Sequence, residues 1–230
     1  MEGIYSQQAQ SSASRKFIAR VYGWMCAALV ISAVVAFFTP TIPALLRFVF
    51  GTPFGFYALI LAEIALVWWL SANIQKISSK TAAIAFLVYS VVNGVTLSVV
   101  FLAYPIANIV NVFAVSALMF GAMSIYGMFT KSNLMSVGRY LMMALFGLVI
   151  ATLINLFLRS SMFDYLISFA GVALFTALTA YDTYRIARTA EYADNREAFK
   201  NVAIIAALNL YLDFINIFLY LLRLFSNRRR

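Results

Sequence analysis

Apolar residues in this sequence fall into seven long blocks, not into the short alternating stretches of half-buried strands. The blocks cover residues 17–39, 56–74, 82–104, 108–130, 139–158, 163–186 and 202–224. Each comes close to or exceeds the roughly 20 residues that a helix needs to cross a hydrocarbon core. No water is present there to satisfy the backbone, so each block must pair its own N–H and C=O groups, which predicts helices. The pattern therefore predicts an all-α integral membrane protein with seven transmembrane helices.

The joints between blocks carry turn chemistry or charge. Pro40, Pro43 and Pro53 interrupt the chain between the first two blocks, and Pro105 ends the third. Residues 76–80 and 131–138 are short polar links, whereas 187–201 is the one long polar link and mixes both charge signs. Residues 1–14 are rich in Gln, Ser and Ala and read as a flexible polar tail. That tail has no basic start followed by a short apolar run, so it does not resemble a cleaved leader, and the first span is expected to direct insertion. The expected organisation is a tail at 1–14, a seven-helix domain at 15–226 and a basic tail at 227–230.

Composition sharpens this picture. The chain is 64% hydrophobic and 11% charged, against about 25% charged residues in an ordinary soluble domain. Histidine is absent, which excludes a Ser-His-Asp triad, an HExxH zinc site and histidine-ligated haem. Cys26 stands alone in the first block and reads as a small buried side chain, with neither a disulfide nor a metal site to build. The net charge of +9 does not point to nucleic acid, because the basic residues gather at the ends of the blocks. With the N-terminus in the cytoplasm, 11 of the 17 Lys and Arg residues lie inside, and Arg47, Arg159, Arg223, Arg228, Arg229 and Arg230 lie outside. That asymmetry favours a cytoplasmic N-terminus. The arginine tail on the outer side runs against the trend.

Three of the eight acidic residues, Glu63, Asp182 and Asp213, lie within apolar blocks. A charge at mid-bilayer costs about 2.5–3.5 kcal/mol on insertion scales, so such residues mark pathways, pairs or ligand sites. Asn209, Asp213, Asn216 and Tyr220 are spaced 4, 3 and 4 apart and share one face of the last helix. Asp182 sits near the end of the sixth block with Arg185 one turn on, so a local ion pair competes with a functional role. Spans six and seven are antiparallel neighbours. Pairing of Asp182 with Asp213 is open to them if the sixth helix continues beyond Ile186. Two carboxylates in a site of low dielectric hold a proton between them and would respond to pH near neutrality. Ionised, they offer hard oxygens suited to Ca²⁺, with the Asn209 and Asn216 amides as further oxygens. Glu63 has no polar neighbour on its own face, and Ser90, Asn93 and Thr96 on the third span are its candidate partners.

Four segments carry a family resemblance. They are Val21-Tyr22-Gly23-Trp24-Met25, Phe120-Gly121-Ala122-Met123-Ser124-Ile125-Tyr126-Gly127, Thr179-Ala180-Tyr181-Asp182-Thr183 and Leu210-Tyr211-Leu212-Asp213-Phe214-Ile215-Asn216. In order and distance they resemble the transmembrane Bax-inhibitor-motif family, its bacterial branch in particular, from Val21 onward. The resemblance implies a last helix surrounded by the other six, and a pH-sensitive Ca²⁺ leak gated by two aspartates. It also implies the bacterial inner membrane as location. Carried onto this chain, the aspartates are Asp182 and Asp213, with Glu63 at an acidic pore position beside Asn93. Some relatives latch the span-six aspartate with a basic residue at the end of span two. Here that end reads Ser71-Ala72-Asn73-Ile74-Gln75-Lys76, leaving Lys76 alone for the role.

The expected partners are thus the lipid bilayer, Ca²⁺ as permeant ion and protons, with no cofactor, no nucleic acid and no enzymatic activity. Four other classes compete, one of them an interaction or chaperone-like membrane protein in which the carboxylates are structural. An intramembrane aspartyl protease would need Gly-x-Gly before its second aspartate, where this chain has Leu210-Tyr211-Leu212. A retinal protein needs a lysine in its last helix, and residues 202–224 hold none. A proton-coupled transporter uses the same intramembrane carboxylates and stays open.

Overall fold

The computed structural model describes residues 2–193 and 197–226. Their helices are α1 (Glu2–Phe38), α2 (Pro43–Phe50), α3 (Pro53–Asn73), α4 (Ser79–Ala103), α5 (Ile106–Phe129), α6 (Gly138–Leu158), α7 (Ser161–Ala190) and α8 (Glu197–Ser226). No strand occurs among the described residues. Seven of these helices are long and apolar enough to cross a membrane, at Ser12–Thr41, Phe54–Asn73, Ser79–Ala103, Ile106–Phe129, Leu134–Leu158, Ser161–Ala190 and Ala198–Phe225. The chain is an integral membrane protein with seven spanning helices, each placed within a few residues of its apolar block.

Three local features depart from the sequence expectation. α1 begins at Glu2, so helical backbone runs through the polar segment ahead of the first span. The proline-rich joint holds a short helix, α2, whose Pro43 sits in the first turn, where its missing N–H has no intrahelical partner to lose. Finally, α7 continues to Ala190 and α8 begins at Glu197, so most of the long polar link is helix. Charged residues along 187–201 hid that continuation, because helix persists outside the membrane wherever side chains are solvated and no Pro or Gly intervenes.

The ends are capped by short polar side chains. Thr52 accepts from Gly55 N–H at 3.3 Å ahead of α3, and Ser78 accepts from Thr81 N–H at 3.2 Å ahead of α4. Arg159 ends α6 in the left-handed region at φ 50°, with Asn155 accepting from Arg159 N–H through its carbonyl and from Ser160 N–H through its side chain. Asn201 of α8 donates both amide protons, to Ile74 and Ile77 carbonyls at 2.8 Å each, and so serves the end of α3.

The chain divides into two compact units. One comprises Met1–Ile106 with Ala190–Tyr211, the other Ala107–Thr189 with Leu212–Arg230, so α8 supplies residues to both. In the first unit α1 packs along α4. Gly94 makes this possible: a Cβ there would lie 2.8 Å from the Ser32 carbonyl oxygen. In the second, α5 meets α7 at Gly127, where a Cβ would run into the Ala180 carbonyl oxygen. Small residues at such crossings are what brings helices together in lipid, where apolar burial gives no drive.

Burial is uneven among the spans. The apolar window of Ala198–Phe225 is 61% buried, that of Phe54–Asn73 only 6%. Large apolar side chains such as Phe54, Leu118 and Phe157 stand exposed, as a lipid-facing surface requires. Cys26 is exposed on α1, contrary to the buried position expected of it. An apolar helix offers no sequence signal for which of its faces looks at lipid.

Candidate functional site

Each unit carries an acidic site inside the membrane. In the second unit, α8 places Asp213 at 5% exposure, with its Oδ2 lacking a hydrogen-bond partner among the described residues. α7 places Asp182 half-buried, in the same unit. Arg185 follows one turn on in α7 and is exposed. The extension of α7 to Ala190 meets the condition under which the two aspartates can approach.

The surroundings of these carboxylates are built from the segments that carried the resemblance. Thr183 donates to Ser124 Oγ at 3.5 Å, joining α7 to α5 one residue past Asp182. Gly127 of α5 abuts the backbone at Ala180, and Gly138 of α6 abuts the Tyr181 ring. Phe214, next to Asp213, packs edge-on against Phe120 of α5 at 5.7 Å and against Phe113 at 5.2 Å. Further along, Tyr220 stacks on Phe175 at 5.9 Å and lies against Gly171. An ion pair of Arg223 with Asp164 at 3.3 Å closes that end. The remaining members of the predicted stripe are less enclosed. Asn209 and Asn216 are half-buried, and Asn216 spends an amide proton on Leu212 O of its own helix at 2.8 Å.

In the first unit, Glu63 of α3 receives Asn93 Nδ2 at 3.2 Å and the Thr96 hydroxyl, both from α4, so two of its three expected partners are found. Ser90 instead donates to Phe86 O. Sequence reasoning missed the rest of this network. Tyr211 of α8, fully buried, donates to Asn93 Oδ1 at 2.8 Å, and Ser32 of α1 lies 2.6 Å from the Tyr211 hydroxyl. Ser32 has one proton and two acceptors in reach, Tyr211 Oη and Ser90 O at 2.7 Å. When Ser32 donates to Tyr211, the bonds run in one direction, Ser32 to Tyr211 to Asn93 to Glu63, through four helices. A lone Ser in an apolar span was the available signal for Ser32. Tyr211 was hidden because it lies about 200° around α8 from Asp213, off the stripe that the spacing selected.

Among the described residues no group of three or more Asp, Glu, His or Cys side chains is placed to hold a metal ion. Two carboxylates fall well short of the 6–8 oxygens of a Ca²⁺ cage.

Comparison with known proteins gives the arrangement its family. Residues 14–230 match the family described as Inhibitor of apoptosis-promoting Bax1. The chain is 43% identical over 215 residues to the inner membrane protein YbhL of Escherichia coli K12, covering 93% of this chain and 92% of that one. A Borreliella burgdorferi protein is 45% identical over 215 residues, covering 93% of each chain. A third relative, from Rickettsia prowazekii, is 37% identical and covers 94% of this chain. By length and identity of match, this seven-span membrane protein belongs to the Bax1-inhibitor family.

Proposed function

We propose that the protein is a pH-sensitive leak pathway for Ca²⁺ in the bacterial inner membrane, a transport protein and not an enzyme, with its N-terminus in the cytoplasm. The observation that carries this reading is Asp213. It is a carboxylate enclosed in the last span, with one oxygen lacking a hydrogen-bond partner among the described residues, and Asp182 lies in the same unit. Such a group has little structural use, because an unpartnered buried oxygen costs about 1–3 kcal/mol. Its use is in changing charge. With a proton between them, the two aspartates tolerate each other; with both ionised, they repel and bias the helices that carry them. The relative named as an inner membrane protein supports the location, and the Lys/Arg asymmetry supports the orientation.

The test is Ca²⁺ influx into liposomes holding the purified protein, titrated from about pH 6 to about pH 8 across the range where such a pair responds. Flux should vary with pH in the parent protein and lose that variation in Asp182→Asn and Asp213→Asn. Unchanged titration in both variants would remove the gating role.

A proton-coupled transporter is the second reading, favoured by the Glu63 network. Glu63 is an intramembrane carboxylate held by hydroxyl and amide donors, a type of group that proton pathways use. Movement of protons with a co-substrate, in the absence of Ca²⁺ flux, would select it.

A further inference from the structure

The aspartates of the second unit share a helix face with a second cluster at the other end of α7. Asp164 precedes Asp182 by 18 residues, about five turns, so both stand on one side of the helix, about 27 Å apart along it. That length approaches the roughly 30 Å of a hydrocarbon core. Ser168, Gly171 and Phe175 follow Asp164 at spacings of 4, 3 and 4 and lie on the same face. The next span, α8, runs the opposite way and meets this face with Tyr220 and Arg223. Tyr220 lies within about 20° of Asp213 around α8, about 10 Å further along it. Its ring stacks on Phe175 at 5.9 Å and fills the notch at Gly171, where a Cβ would lie 2.6 Å from the ring. Arg223 stands over the same ring at 5.6 Å and reaches Asp164 at 3.3 Å. Ser168, between the notch and the ion pair along α7, is fully buried. All of these residues belong to the second unit.

Packing alone does not call for this arrangement. Small residues and close backbones join helices in lipid without any charge. The Arg223 and Asp164 side chains are 42% and 31% exposed, and an ion pair open to water adds little to the hold between two helices. What the pair does is set a position. Asp164 holds the guanidinium, and the guanidinium lies over the ring that fills the notch. A contact that places a ring and yet parts at low cost suits a closure that opens.

We propose, resting on the leak reading above, that Tyr220 is the outer closure of the pathway that carries Asp182 and Asp213, with Arg223 and Asp164 as its positioning residues. The test pairs Ca²⁺ flux with a label that needs no Ca²⁺. In a Cys26→Ser background, Ser168→Cys exchanges a buried hydroxyl for a thiol of similar size. The full-length protein is held in lipid nanodiscs, which leave both faces in reach of a water-soluble maleimide. Cys at position 168 should react slowly with Tyr220, Arg223 and Asp164 in place. In Arg223→Gln and in Asp164→Asn it should react about fivefold faster, the factor that loss of about 1 kcal/mol of cation–π contact corresponds to. Arg223→Lys keeps a cation for both the ring and Asp164, and it should restore slow labelling. In proteoliposomes, Ca²⁺ influx at the pH where the parent leaks least should rise by a similar factor in the two charge variants, and further in Tyr220→Ala. Should Tyr220→Ala fail to elute as a folded species, Arg223→Gln against Arg223→Lys decides on its own. Labelling equally slow in every variant would overturn the closure, and so would fast labelling that Arg223→Lys does not suppress. A parent protein without Ca²⁺ flux would sink the leak reading, while the labelling would still decide whether Tyr220 closes this end.

Discussion

Tyr211 and Asp213 are two residues apart on one helix and do different work. Tyr211 donates into a closed network, so Tyr211→Phe leaves Asn93 Oδ1 buried without that donor. The expected cost is about 1–3 kcal/mol, read as a lower unfolding midpoint in detergent. Because Glu63 terminates the same run of bonds, Tyr211→Phe combined with Glu63→Gln should be non-additive by about 0.5–3 kcal/mol in a double-mutant cycle. Additive losses would mean the two ends are energetically separate. Asp213 is the opposite case. Its Oδ2 has nothing to lose, so Asp213→Asn should leave the midpoint unchanged or raise it while abolishing the pH response of transport. Glycines show the same contrast. Gly127→Val drives a side chain into the α7 backbone at Ala180, two residues before Asp182, and should destabilise strongly. Gly121→Val, in the same segment but facing open space, should be close to neutral in the same assay.

Helices join through polar side chains that reach across to another helix's unpaired carbonyls. Asn201 does this for the end of α3 with both amide protons. Asn201→Ala should lower the unfolding midpoint and speed hydrogen exchange at residues 74–77, and unchanged exchange there would show that the cap is dispensable. Most elements were legible in the sequence, for a physical reason. A bilayer demands about 20 apolar residues per crossing, and that demand writes itself into composition. What escaped was helix outside the hydrocarbon. α2 and the outer ends of α7 and α8 are set by capping, solvated charge and packing, none of which leaves an apolar block. The sites divide in the same way. Asp182, Asp213 and Glu63 were visible as charges out of place, and Asn93 and Thr96 as polar residues spaced along one face. Ser32 and Tyr211 were not, since neither is charged and their link spans 179 residues.

At the scale of the molecule, seven spans put successive loops on alternate sides, and the proposed cytoplasmic N-terminus makes definite statements about them. In a Cys26→Ser background, a cysteine at Lys131 should react with an impermeant maleimide only after permeabilisation, and one at Arg159 should react in intact cells. The reverse pattern would invert the orientation. The central claim concerns the buried aspartates, and Ca²⁺ influx into proteoliposomes measured from about pH 6 to about pH 8 tests it most directly. The account predicts a flux that changes across this range in the parent protein and is flat in Asp213→Asn. A parent protein that carries no Ca²⁺ at any of these pH values, or an Asp213→Asn variant that titrates like the parent, would contradict it.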